Sequence, residues 1–290
     1  MKTLMKTHAG MLFALVTACG LGAITTQAKI FYADDGNALT LMLTRFAAST
    51  LIFGLLLLLR RGSFKVDSRQ RIPLLLLGIV WSGAMIFYLV AVETISVSLA
   101  VLILYFYPLL VLAYSVIRRQ LKASPAVIAL FCAAFFGLYL ALSGGEIKVD
   151  LNGILFAAMA SIGAAFTFIC GARVAPSMSP LLMTFWGNAI GLLMIVPMMA
   201  GKLALPSASG GSLALGLATV FYLVAILSQF EALARLSAAR AAFLLNLEPV
   251  VSILLAVLIL NEKLSVIQTS GVILVISVVI LSLRFKPADA

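Results

Sequence analysis

The sequence predicts an all-α membrane protein of ten transmembrane helices, arranged as two inverted five-helix repeats with both termini in the cytoplasm. Three observations predict it. The composition is strongly apolar, ten membrane-length apolar runs carry flanking charges that sort to one side, and the chain matches itself at an offset of 141 residues.

Of the 290 residues, 63% are hydrophobic and 10% charged, against about 45–50% and about 25% in soluble domains. A soluble fold of this size cannot hide so much apolar surface, so lipid is the solvent for most of it. On a soluble protein the net charge of +10 would point to nucleic acid. Here its distribution decides.

A bilayer core of about 30 Å takes about 20 residues of helix. The first such run, 9–29, follows Lys2 and Lys6 and ends before Asp34-Asp35-Gly36. The second, 38–59, stops at Arg60-Arg61-Gly62. The third and fourth, 72–92 and 96–117, lie close together, and Arg118-Arg119 closes the pair. The fifth, 125–143, runs into Gly144-Gly145-Glu146. The sixth and seventh are 152–172 and 179–200, the latter followed by Gly201-Lys202 and the stretch from Pro206 to Gly211. The eighth, ninth and tenth are 212–233, 238–260 and 265–284. The breaks carry turn chemistry, and no connection exceeds roughly a dozen residues, too short for an inserted domain. Lys2, Lys6, the first apolar run and Thr26-Gln27-Ala28 imitate a secretory signal peptide, but the repeat requires this segment as a helix.

With the N-terminus inside, Lys2, Lys6, Arg60, Arg61, Lys65, Arg69, Arg71, Arg118, Arg119, Lys122, Arg173, Arg235, Arg240, Arg284 and Lys286 fall on the cytoplasmic side. Only Lys29, Lys148, Lys202 and Lys263 fall outside, and Arg45 lies within the second span. That is a strong positive-inside bias. Asp34, Asp35, Glu93, Glu146, Asp150 and Glu262 lie in the outer loops. The basic balance is therefore a topology signal, and nucleic acid is excluded as a partner. The arginine pairs 60–61 and 118–119 read as retention signals that meet anionic lipid.

At the offset of 141, Gly22-Ala23 meets Gly163-Ala164, Thr26 meets Thr167, Ala91 meets Ala232, Ser96 meets Ser237, Ala100 meets Ala241 and Pro108 meets Pro249. Residues 1–143 then form one repeat and 144–290 the other. Five helices is an odd number, so the second repeat enters the membrane in the opposite sense. Inverted repeats are a common plan of secondary transporters, with the substrate site near the midplane between the halves. Two similar halves of opposite orientation can exchange conformations between states of comparable energy.

At Leu247-Glu248-Pro249-Val250, Leu260-Asn261-Glu262-Lys263-Leu264-Ser265 and Gly271, the sequence resembles the drug/metabolite transporter superfamily, specifically its EamA-type ten-helix members. Tyr105-Phe106-Tyr107-Pro108-Leu109, Arg45-Phe46 and the stretch from Ala232 to Ala238 carry the same likeness. The first half departs from it, because Leu121 stands where an acid would match Glu262. The resemblance implies export or exchange of small metabolites, often amino acids, through a central cavity, in a multi-pass protein of a bacterial inner membrane.

Two ionisable residues read as deep in the spans, Arg45 and Glu248. A charge at the bilayer centre costs at least about 2.5–3.5 kcal/mol, so both should face protein or a water-filled cavity. There Glu248 would bind a substrate amine or a coupling proton and Arg45 a carboxylate, or each would simply be pinned by neighbouring helices. The offset pairs Arg45 with Trp186, Tyr88 with Gln229, Tyr105 with Asn246 and Tyr107 with Glu248. Aromatic walls with a few polar groups suit a small-molecule pocket. Residues two apart on a helix differ by about 200°, so Tyr105 and Tyr107, and likewise Asn246 and Glu248, conflict over one cavity. Trp81 is a further wall candidate, although an isolated Trp in a span is more often packing. Pro108 and Pro249 remove mid-span hydrogen bonds and are either hinges or static kinks. Gly20, Gly22, Gly187 and Gly191 read as close helix contacts. Cys19, Cys132 and Cys170 read as small buried apolar residues.

The leading reading is a secondary carrier that exports a small metabolite, with a solute, membrane lipid and a coupling proton as partners and no cofactor. An uptake permease or an exchanger is the nearest alternative, and a receptor or scaffold the alternative of another class. An intramembrane enzyme would need a nucleophile–base pair, paired aspartates or a metal motif within the spans, and none is present. With no nucleotide-binding loop, primary active transport would need another chain.

Overall fold

The computed structural model describes residues 2–121, 124–144 and 148–284. The expected positions of Lys122, Glu146 and Lys286, and of both chain ends, lie outside the described residues. Among those described, every regular element is helical. In chain order they are α1 (Lys2–Tyr32), α2 (Ala38–Leu59), α3 (Ser68–Thr94), α4 (Val97–Leu104), α5 (Tyr107–Ile117), α6 (Pro125–Ala141), α7 (Leu151–Val174), α8 (Pro180–Ile195), α9 (Ser209–Leu233), α10 (Ala238–Leu244), α11 (Leu247–Leu260) and α12 (Val266–Arg284). These make ten spans, because α4 with α5, and α10 with α11, each cross together. Nine spans are long and apolar enough by ordinary measures, and α6, with 17 residues, is shorter.

Short polar side chains start these helices. Asn37, Asp67, Ser124, Asp150 and Ser179 each accept a backbone N–H from the first turn that follows, satisfying donors that the helix leaves unpaired. The start of α9 is capped from elsewhere: the Asp34 carboxylate, in the α1–α2 loop, accepts from the Ser207 hydroxyl and the Ala208 N–H. Those bonds hold the Asp34 carboxyl below its ordinary range. At the other ends, Arg61, Arg119 and Asn261 take the left-handed conformation that terminates a helix. Pro197 ends α8 early, and Val196–Met199 continue as a 3-10 turn.

The two halves interlock. Helix α1 packs along α9 and, at the equivalent repeat positions, α7 packs along α3. Both contacts are antiparallel: Gly10 meets Leu236, Thr17 meets Ala225 and Gly20 meets Phe221, while Gly153 meets Ile95 and Gly163 meets Val80. Gly22 and Gly163, a pair at the offset, each depend on having no Cβ. At Gly22 it would fall 2.6 Å from the Glu248 carbonyl, and at Gly163 2.8 Å from the Ala84 Cβ. Helix α2 pairs with α8, and α6 with α12.

Contacts also respect the predicted sides. Outer ends meet outer ends: Lys29 with Glu262 at 2.8 Å, Asn37 with the Lys202 carbonyl, Thr40 with the Ala204 N–H, and Ser96 with the Lys148 carbonyl. Inner ends meet inner ends, as Gln70 does with the Ser177 carbonyl. Two expectations need correction. The fourth and ninth spans are interrupted rather than continuous. Cys19 and Cys132 are exposed on the outer faces of their helices, and Cys170 is half-exposed. Lipid is an apolar solvent, so nothing drives a small thiol inward.

Candidate substrate cavity

The interruptions in the fourth and ninth spans create the site. Pro108 is the second residue of α5 and Pro249 the third of α11. A proline supplies no N–H to the carbonyl four residues earlier and crowds it. Here those carbonyls belong to Leu104 and Leu245, and the chain breaks at Tyr105-Phe106 and Leu245-Asn246. Tighter bonds bridge each gap, from Phe106 N–H to the Ile103 carbonyl and from Asn246 N–H to the Phe243 carbonyl. Discontinuous helices at matching places in the two halves mark the binding region of many carriers.

Around the breaks lies a cavity of ≈ 180 Å³ walled by α1, α2, α3, α7 and α9 and by both broken spans. Arg45 and Glu248 both line it. Among the described residues the ion pairs are Lys29–Glu262 and Arg235–Glu231, so these two opposite charges share a chamber without being joined. The Arg45 guanidinium lies 5.0 Å from the centroid of the Tyr222 ring, a cation–π contact. Its Nε is buried without a hydrogen-bond partner. Glu248, in the first turn of α11, shares the cavity wall with Tyr105.

An aromatic floor supports Arg45. Trp81 and Tyr222 stack with centroids 6.3 Å apart and planes 11° from parallel, and Phe46 and Phe230 meet Trp81 edge-on. The Tyr222 hydroxyl donates to Asn188 Oδ1 at 2.9 Å, and Asn188 Nδ2 donates to the Thr184 carbonyl at 2.7 Å. Gly187 on α8 faces the Trp81 ring, which an added Cβ would meet at an ordinary contact distance of 3.6 Å. The ring is thus locked by hydrogen bonds behind it while its face remains in the cavity.

The sequence candidates divide. Arg45, Trp81, Tyr105, Tyr107, Gln229 and Glu248 come together. The conflict between Tyr105 and Tyr107 disappears because the chain breaks between them. Both rings face the chamber, 5.8 Å apart, and Tyr107 stacks on Phe168. Three candidates stand elsewhere. Trp186 lies off the inward face of α8, which carries Thr184, Gly187, Asn188 and Gly191, and its indole donates to the Phe64 carbonyl in an inner loop. Asn246 is enclosed and donates to its own Phe243 carbonyl. Tyr88 lies one turn beyond Met85 on α3, packed by Ala91, Ile95 and Ala157, although it remains within electrostatic range of Glu248.

Sequence reasoning missed Tyr222, Phe168 and Thr167. The signal for the first was present: 222 is 81 plus 141, so the stacked rings are a repeat pair. Glu231 was also missed. It lies near the inner end of α9, paired with Arg235 one turn on, and Arg235 lies 5.0 Å from the Phe13 ring centroid. No group of three or more His, Cys, Asp or Glu suited to a metal ion occurs among the described residues.

Comparison with known proteins bears on the family and the fold. The EamA-like transporter family matches residues 8–143 and again 151–284. Among solved structures, a crystal structure of a protein superposes with a TM-score of 0.81, over 95% of this chain and 96% of that one, at 18% identity. That likeness concerns the fold. No curated protein matches the chain.

Proposed function

Because the chain belongs to the EamA-like transporter family, whose members are membrane transporters of small solutes, we propose that it exports a zwitterionic, amino-acid-like metabolite across a bacterial inner membrane by alternating access. One observation carries the choice of substrate. The cavity holds one cation and one carboxylate, Arg45 and Glu248, unpaired with each other among aromatic side chains. A guanidinium with a free Nε offers charge-assisted hydrogen bonds to a carboxylate. A carboxylate beside a tyrosine hydroxyl offers the same to an ammonium group. A zwitterion satisfies both, and Trp81, Tyr222 and Phe168 take its apolar part.

Glu248 has a second role in this reading. In the empty carrier it takes a proton, and the ammonium group of the solute displaces it. Export is the direction that the family resemblance implies.

The test is counterflow in proteoliposomes loaded with unlabelled zwitterionic amino acids. Labelled amino acid should accumulate transiently, and Arg45→Gln and Glu248→Gln should each abolish accumulation. Counterflow by amines or by carboxylates alone, with zwitterions inert, would overturn the substrate class.

A further inference from the structure

At the offset of 141 the groups around the cavity extend into two polar series, one toward each side of the membrane. On the outer side, Tyr32 ends α1, 42% exposed, within electrostatic range of Arg45. Tyr88 is within that range of both Tyr32 and Glu248, and Tyr105 lines the cavity beside Glu248. Their repeat mates are Arg173, Gln229 and Asn246. Arg173 is exposed at the inner end of α7, where it hydrogen-bonds Tyr114.

The two series sit in different surroundings. Gln229 and Asn246 are 6% and 3% exposed. Phe230, Leu233 and Leu244, nearer the cytoplasm on the same helices, are fully enclosed, and Leu233 presses on Gly171. At the equivalent outer positions Leu89 and Val92 are only half-buried, while the half-buried Ile103 lines the groove beside Phe106.

We propose that Tyr32, Tyr88 and Tyr105 line the outer half of the solute path to Glu248, that Arg173, Gln229 and Asn246 line its inner half, and that this conformation opens outward with the inner half sealed. A tyrosine hydroxyl both donates and accepts, so successive hydroxyls can pass a polar solute along while their rings exclude lipid. The inner mouth carries a guanidinium where the outer mouth carries a phenol. A solute with a carboxylate is therefore collected from the cytoplasm and released past neutral groups.

The proposal rests on the carrier reading, and its test uses no solute, so the two can fail separately. Cys19→Ser, Cys132→Ser and Cys170→Ser first give a thiol-free parent. An impermeant cationic methanethiosulfonate is then added to right-side-out or inside-out vesicles. Tyr32→Cys and Tyr88→Cys should react from outside at least about tenfold faster than Gln229→Cys and Asn246→Cys react from inside. Arg173→Cys should react from inside only. Equal rates at the outer and inner series, or reaction of Tyr88→Cys from inside alone, would overturn the proposal. Hydrogen–deuterium exchange of the unmodified protein gives a reading free of any variant. Amides of 88–105 should exchange faster than those of 229–246, and equal or reversed rates would count against the outward state.

Discussion

Helices α4 and α10 occupy the same place in the two repeats, yet one is loosely held and the other enclosed. Helix α4 packs on α3 and α7, and only Ala100 in it is buried; Val97 is 60% exposed. Helix α10 packs on α1, α5, α7 and α9, and every residue in it except Arg240 is buried. Beside α4, a lipid-facing groove of ≈ 440 Å³ opens between Leu102, Phe106, Phe135 and Ile162. At the position matching Leu102, Phe243 is buried, its ring 4.7 Å from that of Phe131 on α6. The side chains account for the difference. Where α4 has Val97, Ser98 and Val101, α10 has Ala238, Ala239 and Ala242. Small residues let helix backbones approach closely in a membrane. The duplicated topology makes two equivalent segments, and side-chain volume decides which one packs more tightly.

The comparison can be broken or sharpened by substitution, beginning with the largest effect. Glu248→Gln, in the span of the enclosed α10, should eliminate proton-driven flux measured against a pH gradient, whereas its repeat mate Tyr107→Phe should retain most of it. Unchanged pH dependence in Glu248→Gln would remove that residue from proton coupling. Phe243→Ala empties a packed site and should cost about 3–5 kcal/mol of unfolding free energy in detergent. Leu102→Ala at the matching position of α4 should cost about 1 kcal/mol or less, since it faces an open groove. Similar losses at both would erase the asymmetry.

Asp34→Asn tests the latch between the outer loops of the two halves. It should lower the melting temperature at neutral pH more than Asp35→Asn does, because Asp35 makes no such cap. Since the Asp34 carboxyl is held below its ordinary 3.8, its stabilisation is complete above that value. It is lost as pH falls from there through the lower folded value. A stability difference between parent and Asp34→Asn that persists unchanged in stronger acid would contradict this. The smallest effect belongs to Glu262→Gln. Its partner Lys29 and the glutamate itself are both about half exposed, so the pair should be worth about 0–1 kcal/mol by double-mutant cycle.

Much of this was legible in advance, for particular physical reasons. Spans are readable because lipid imposes length and apolarity on every helix that crosses it. The repeat is readable because glycine, serine and proline matches carry backbone constraints that aliphatic matches do not. Arg45 and Glu248 stood out because burying a charge in a membrane is costly. Trp186, Asn246 and Tyr88 lie outside the central cavity because the offset fixes depth but not the direction a side chain takes around its helix. Tyr222 was legible only as the repeat mate of Trp81, a match between two different aromatic residues.

By itself the sequence determined how many times the chain crosses, which way each repeat runs and which charges must be sheltered, since these follow from transfer costs that act residue by residue. Only the tertiary structure decided that Tyr105 and Tyr107 share one chamber, that Arg45 and Glu248 remain unpaired, and that α10 is enclosed while α4 is not. Those outcomes depend on side-chain directions and helix breaks, which arise when distant segments pack and have no local code.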